Sequence, residues 1–299
     1  MTDRIAGRPV VSPGDAATSG PTAQARTRRL PRGVFRGRWG TAAGLVLFGI
    51  IFILVWEGFF RAKIISRFIV PSFFDTADEF VLIFRSIFTG GVYLRATLIT
   101  LEEIALGFAL GAVVGIVVGI LIGETAFGRK ILMPYVVAFN AMPKVAFAPL
   151  FVAALGFGVA PKILLAAIIA FFPVVVNTAA GIESPNDNEL MLFRAIQASR
   201  LQTLWKLKLP TSLPFVFAGL KIAAVLAVVG AVVGEMLSGG TGGLGRRISV
   251  ASLNLKTDNV FALILVLSIV GLVVYLIVAL AEHYVVHWRQ PKWRRRQAS

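Results

Sequence analysis

LITLEEIALGFALGAVVGIVVGILIG, Leu98–Gly123, is long and apolar enough to cross a bilayer, whose hydrocarbon core takes about 20 helical residues. A span is therefore read from Leu98 to Ile122. Glu102 and Glu103 fall in its first two turns, close enough to the outer interface to be read as solvated. Glycines stand at 107, 111, 115, 119 and 123, each four residues after the last, so one helix face is nearly bare backbone. In lipid, where packing rather than the hydrophobic effect drives helix association, such a stripe lets a neighbour approach closely. The segment reads as a packing spine.

Composition carries the same conclusion to the whole chain. Of 299 residues 57% are hydrophobic and the mean hydropathy is +0.81, against about 45–50% apolar residues in a soluble domain. Outward from the spine, Thr41–Phe60 reads as a first span, with Trp56 and Glu57 at its far interface, and 61–97 as an outside segment of short surface helices around Val70-Pro71-Ser72. Gly128, Arg129 and Lys130 form a basic turn inside. The next apolar region, 131–157, is broken by Pro134, Pro143 and Pro149 and contains Asn140 and Lys144. A lysine at mid-membrane costs about 2.5–3.5 kcal/mol on insertion scales. Lys144 thus either faces a water-filled path beside a broken helix or snorkels to a headgroup from a helix end. A fourth span covers 160–177, with Pro173 as a kink and Asn177 near its inner end. A fifth covers 213–237, with Lys221 expected to snorkel and Glu235 near the outer end, and a sixth covers 260–281. The expectation is an all-α polytopic membrane protein with about six transmembrane helices: a permease-like domain over 41–285 between basic tails at 1–40 and 286–299.

The net charge of +15 would suggest nucleic acid in a soluble protein. Here the basic residues flank apolar spans, with no nucleic-acid-reading module among them, and Lys and Arg are about twice as numerous in the segments read as cytoplasmic. Both termini are therefore expected in the cytoplasm. Residues 1–40 hold eight arginines against two acids and read as a disordered cytoplasmic tail. Arg28-Arg29 precede Pro31 and no cleavage site follows, so an export signal is not favoured. The chain has no cysteine. His283 and His287, at i and i+4, could hold a metal, but without H-E-x-x-H they read as an interfacial helix end. The glycine-rich stretch 239–245 lacks the G-K-[ST] ending of a phosphate loop and reads as a flexible outside turn. No Walker motif, catalytic triad, metal cluster or deep carboxylate pair is legible, so the chain lacks an engine of its own.

The longest polar interruption in the second half is SPNDNELMLFRAIQASRLQTLWKLKLPTSLP, Ser184–Pro214. It reads as two short amphipathic helices. The first starts with an S-x-x-D box (Ser184, Asp187) and Pro185, and the second with an S-x-x-Q box (Ser199, Gln202). Leu190, Phe193 and Ile196 would form one apolar face, and Leu201, Leu204 and Trp205 the other, with a stop near Pro210. Two capped, one-sided helices at a membrane surface suit docking against another protein.

The same residues carry a resemblance. The segment Gln197–Pro210 keeps the spacing of the permease signature of binding-protein-dependent ABC importers: E-A-A, three residues, G, nine residues, I-x-L-P. Leu207-Lys208-Leu209-Pro210 matches its end, whereas E-A-A falls on Met191-Leu192-Phe193 and the glycine on Gln197. The stretches NAMPKVAFAPLFVAALGFG (Asn140–Gly158), AFFPVVVNTAAG (Ala170–Gly181), ASRLQTLWKLKLPTSLPFVFAGLKIA (Ala198–Ala223) and VVGAVVGEM (Val228–Met236) resemble the permeases for nitrate, taurine, alkanesulfonates and some vitamin precursors. The likeness covers 45–285.

That resemblance implies a permease in a bacterial cytoplasmic membrane, not itself an enzyme. It would pair with a second permease copy, two cytoplasmic ABC ATPases that hold ATP and Mg, and an extracytoplasmic solute-binding protein. The coupling helix maps onto 189–200, with Glu189, Phe193, Arg194, Gln197, Ala198, Ser199 and Arg200 as expected ATPase contacts. Asn140, Lys144 and Asn177 are expected along the translocation path, where Lys144 with Asn140 would attract an anion such as a sulfonate or nitrate. A vitamin-precursor permease of the pyrimidine or flavin type is the alternative. From another class, an autonomous ion-coupled carrier or channel would need no ATPase.

Overall fold

The computed structural model describes residues 38–62, 69–238 and 242–288. The tail residues 1–37 and 289–299 lie outside the described residues, as do 63–68 and 239–241. The chain divides into two units, Met1–Phe52 and Ile53–Ser299. Helix α1 (Arg38–Arg61) begins in the first. In the second follow α2 (Phe73–Phe88), α3 (Val92–Glu124), α4 (Met133–Ala141), α5 (Ala148–Leu155), α6 (Ala160–Ile182), α7 (Asp187–Ala195), α8 (Arg200–Thr203), α9 (Leu209–Ser238), α10 (Leu244–Leu253) and α11 (Thr257–Val285). Among the described residues there is no strand. Five stretches are long and apolar enough to cross a membrane: Ala42–Arg61, Val92–Glu124, Ala160–Ile182, Arg200–Ser238 and Thr257–Val285. Gly128–Ala141 and Lys144–Leu155, bent by 80°, make a sixth when taken together.

The glycine stripe does what its spacing predicts. A Cβ added at Gly107 would stand 2.5 Å from the Ala166 Cβ, at Gly111 3.1 Å from the Ala170 Cβ, and at Gly115 2.9 Å from the Val174 Cβ. At Gly119 it would stand 2.6 Å from the Thr178 Cβ, and at Gly123 2.8 Å from the Ile182 Cβ. The pairs advance in step along both chains, so α3 and α6 run parallel. On the other flank of α6, Gly219 sits against Asn177, Gly230 against Ala166 and Gly234 against Lys162, which fixes α9 as antiparallel. Helix α6 is thus held between two helices whose glycines admit its side chains, and Ala166, Ala170, Val174, Ala223, Ala227 and Ala231 are buried at the centre. Bulk packs at the rim and backbone at the middle.

Three expectations are corrected. The segment before α3 is not a set of short surface helices: α2 has 16 residues, is capped by Ser72, and buries Ile83 with Ala96, Leu244 and Leu263. The second loop helix does not stop near Pro210. A π-helical turn over Leu204–Lys208 leads straight into α9, and this wide turn accommodates the ring of Pro210 and its missing N–H; the helix then also runs on through Pro214. Within 239–245 the end is not a free turn, since Gly243 caps α10 and Gly245 lies in its first turn.

Candidate functional site: a coupling loop and a buried charge cluster

The coupling loop is built from local signals. Ser184 Oγ donates to the Gly181 carbonyl at 2.7 Å and so closes α6. Because that serine is used by the preceding helix, the expected Ser184–Asp187 box is not formed. The α7 cap moves to Asn186, whose N–H donates to Glu189 Oε2 at 3.0 Å in a capping box. The second box forms as read: the Ser199 N–H donates to Gln202 Oε1 at 2.9 Å, and the Gln202 N–H to Ser199 Oγ at 3.2 Å.

Between the helices lies a feature that the sequence alone did not disclose. Gln197 has φ +52°, in the left-handed region. Its N–H donates to the Arg194 carbonyl, and the Ala198 N–H donates to the Phe193 carbonyl, both at 3.0 Å. This is a Schellman turn with Gln197 where glycine is preferred. It falls on the signature's glycine position, which explains why a glycine is at home there: a side chain in this conformation costs about 1–2 kcal/mol.

The loop's apolar faces differ from expectation. Leu190 and Phe193 are half-buried toward the bundle, while Met191 (54% exposed), Leu192 (60%) and Ile196 (65%) point outward. Leu201 and Trp205 are also exposed and Leu204 is half-buried. Between the loop and the ends of α3, α6 and α9 lies a cavity of about 650 Å³, lined among others by Glu183, Arg194, Ala198 and Arg200. Its rim is tied by Lys208 to Glu124 at 2.8 Å and by Arg129 to Glu183 at 3.7 Å. The seven expected ATPase contacts therefore share one end of the molecule. Glu189, Gln197 and Ser199 shape its turns, Arg194, Ala198 and Arg200 line the cavity, and Phe193 is half-buried.

The expected path residues stand apart from that loop. Lys144 opens the turn between α4 and α5, and its Nζ donates to the Asn140 carbonyl at 2.6 Å and to Asn140 Oδ1 at 3.1 Å, while lying 4.8 Å from the Phe172 ring centroid. The lysine thus caps the broken helix. Asn177 Nδ2 donates to the Pro173 carbonyl at 2.8 Å within its own helix and packs under Gly219. Lys221, expected to snorkel, is instead paired with Glu282 on α11 at 2.6 Å.

At the opposite end is a cluster that the sequence reading missed. Glu103, Lys162 and Glu235 are each 0% exposed. Lys162 Nζ donates to Glu103 Oε1 at 3.0 Å. Glu235 Oε1 accepts from Thr100 Oγ1 at 2.7 Å and its Oε2 from the Gly245 N–H, and the Leu244 N–H donates to Thr100 Oγ1 at 2.8 Å. One carboxylate therefore serves the N-terminus of α10, where free N–H groups and the helix dipole favour an anion. Gly243 and Gly245 make room for it, since a Cβ at either would stand within 3 Å of a Glu235 oxygen. Glu102 is exposed, whereas the solvated reading is overturned for Glu103, which is buried. Lys162 passed unread because a lysine early in an apolar run resembles an interfacial anchor.

Buried helices locked by glycine, a capped two-helix loop at one end and a broken helix beside the core define a polytopic membrane subunit of transport type. Residues 111–287 match the family described as the binding-protein-dependent transport system inner membrane component. The chain is 35% identical over 257 residues to the riboflavin transport system permease protein RibX of Chloroflexus aurantiacus, covering 86% of this chain and 94% of that one. It is 32% identical over 275 residues to the putative aliphatic sulfonates transport permease protein SsuC of Bacillus subtilis, covering 92% and 97%, and 31% identical to the formylaminopyrimidine transport permease protein ThiX of Halalkalibacterium halodurans, covering 82% and 95%. The chain belongs to this family: it is a permease subunit of an ABC importer, in the group that includes the sulfonate, taurine and nitrate permeases.

Proposed function

We propose that the chain forms the membrane half of an importer as a homodimer, with both termini cytoplasmic, carrying a small anion of the sulfonate, taurine or nitrate class. Two cytoplasmic ATPases, which hold ATP and Mg, dock on 189–200, and an extracytoplasmic solute-binding protein delivers cargo at the α10 end. ATP binding draws the docked loops together, the spans lining the path tilt from inward-open to outward-open, and hydrolysis resets them. The observation that carries the docking assignment is the capped α7–α8 pair with its Schellman turn at Gln197.

An anionic cargo is supported by Lys144. Its ammonium is held at the 80° break by neutral acceptors and an aromatic face, and no carboxylate ion-pairs with it among the described residues. A second reading, a vitamin precursor, is favoured by the riboflavin and formylaminopyrimidine relatives, which match 86% and 82% of the chain against 92% for the sulfonate one, at similar identity. Uptake of labelled taurine, nitrate and riboflavin into proteoliposomes containing permease, ATPase and binding protein separates the two. Anion uptake that falls in Lys144→Ala supports the first. Flavin uptake insensitive to that change replaces it.

A further inference from the structure

The cavity behind the coupling loop carries charge that its walls do not use. Its volume of about 650 Å³ is that of a small-molecule site, and buried Ile182 and Pro185 with half-buried Leu190 give it an apolar wall. On the bundle side the cations are committed. Lys208 pairs with Glu124, and Arg129 pairs with Glu183 and donates from Nη1 to the Gly123 carbonyl at 2.7 Å near the end of α3. On the loop side two are not. Arg194, in the last turn of α7, and Arg200, which opens α8, are exposed, and among the described residues neither side chain has an ion pair or a hydrogen bond. The chain turns between them at the left-handed Gln197, and both line the same cavity. Asp187 also lines it without an ion-pair partner among the described residues, but it stands in the first turn of α7, where free N–H groups and the helix dipole favour a carboxylate.

We infer that this cavity binds a phosphate-bearing anion, gripped between the guanidiniums of Arg194 and Arg200, with the apolar wall taking the rest of the molecule. The guanidinium is suited to the task because its planar fork stays charged and meets phosphate oxygens two at a time. Inorganic phosphate would leave most of the cavity empty, so the ligand is a phosphate ester: a nucleoside monophosphate or the headgroup of an anionic phospholipid, which share this chemistry. Bound there, the anion bridges α7 to α8 across the turn at Gln197 and steadies the loop against the bundle. The site is formed by this chain alone, so it can be tested without an ATPase.

The permease, stripped of lipid in a maltoside detergent that contains no phosphate, is titrated with AMP by calorimetry at fixed ionic strength. Phospholipid that stays bound through a milder purification is read by native mass spectrometry. Saturable AMP binding is expected, weakened about tenfold or more in Arg194→Gln and in Arg200→Gln, the size of a lost charge-assisted contact. AMP should also slow proteolysis of 184–203 in the parent and not in the variants. Phosphatidylglycerol retained by the parent and lost from both variants, with no AMP binding, assigns the same site to a lipid headgroup. Because neither arginine has a partner to lose, both variants should melt with the parent, which separates loss of the ligand from loss of the fold. AMP binding and lipid retention that are the same in parent and variants, or absent from the parent, overturn the inference and leave the ATPase-docking reading standing.

Discussion

Lys162 Nζ lies 3.0 Å from Glu103 Oε1, the two residues 59 positions apart in sequence and neither side chain reached by solvent. The same offset of 59 relates Gly107 to Ala166, Gly115 to Val174 and Gly123 to Ile182, so the ion pair is the next step of the glycine register rather than an addition to it. Charge and packing set one alignment of α3 on α6. Because a one-step slip would leave both charges buried and unpaired, the pair also disfavours other registers.

Breaking this pair is therefore expected to cost more than erasing it. Lys162→Met alone leaves Glu103 buried without its ion-pair partner and should destabilise by about 3–5 kcal/mol. The double variant Glu103→Leu/Lys162→Met should recover much of that loss. Thermal unfolding in mild detergent reads the difference, and a double variant no more stable than Lys162→Met would count against the register role.

The glycine stripe predicts a graded set of alanine effects. Gly111→Ala puts a Cβ 2.5 Å from the Ala167 carbonyl oxygen, and Gly119→Ala puts one 2.6 Å from the Thr178 Cβ, so each should destabilise by about 1–3 kcal/mol. A methyl added at Gly58 would meet nothing within 4 Å. Gly58→Ala should leave the melting temperature unchanged in the same assay.

At the coupling loop, Gln197→Gly should stabilise the α7–α8 turn, since it relieves a left-handed glutamine at a cost of about 1 kcal/mol. Limited proteolysis of 184–203 should slow in that variant. In Gln197→Val, where β-branching resists the same backbone, cleavage should quicken.

Much of this was legible in the sequence and some was hidden for physical reasons. The spans, the break near Pro143 and the Ser199 cap follow from apolar length, proline and short-range capping, all of which act locally. The role of Glu103 was within reach, since it sits four residues before Gly107 on the stripe itself. Reading it as an interfacial acid ignored the face it occupies. Lys162 shows its meaning only against α3, and Glu235 only against the start of α10, because their partners are brought together by tertiary packing. The cap at Asn186 was misplaced by two residues since Ser184 had two possible uses, and the choice depended on how α6 ends.

Glu235 should be the bolt of α10. Glu235→Ala removes the acceptor from the Gly245 N–H and from Thr100, so amide exchange at Leu244 and Gly245 should rise sharply while that of the α3–α6 core changes less. Unchanged protection at α10 would show that its N-terminus is held by other contacts.

The central claim is that this permease moves solute only when an ATPase is docked on the α7–α8 loop. Its most direct test is uptake into liposomes holding the parent permease with ATPase and binding protein, measured with ATP, without ATP, and with the permease alone. The account predicts accumulation in the first case only, abolished in Ala198→Trp, whose bulk fills the cavity behind the loop, with membrane insertion intact. Solute accumulation by the permease alone, driven by an ion gradient, would contradict it.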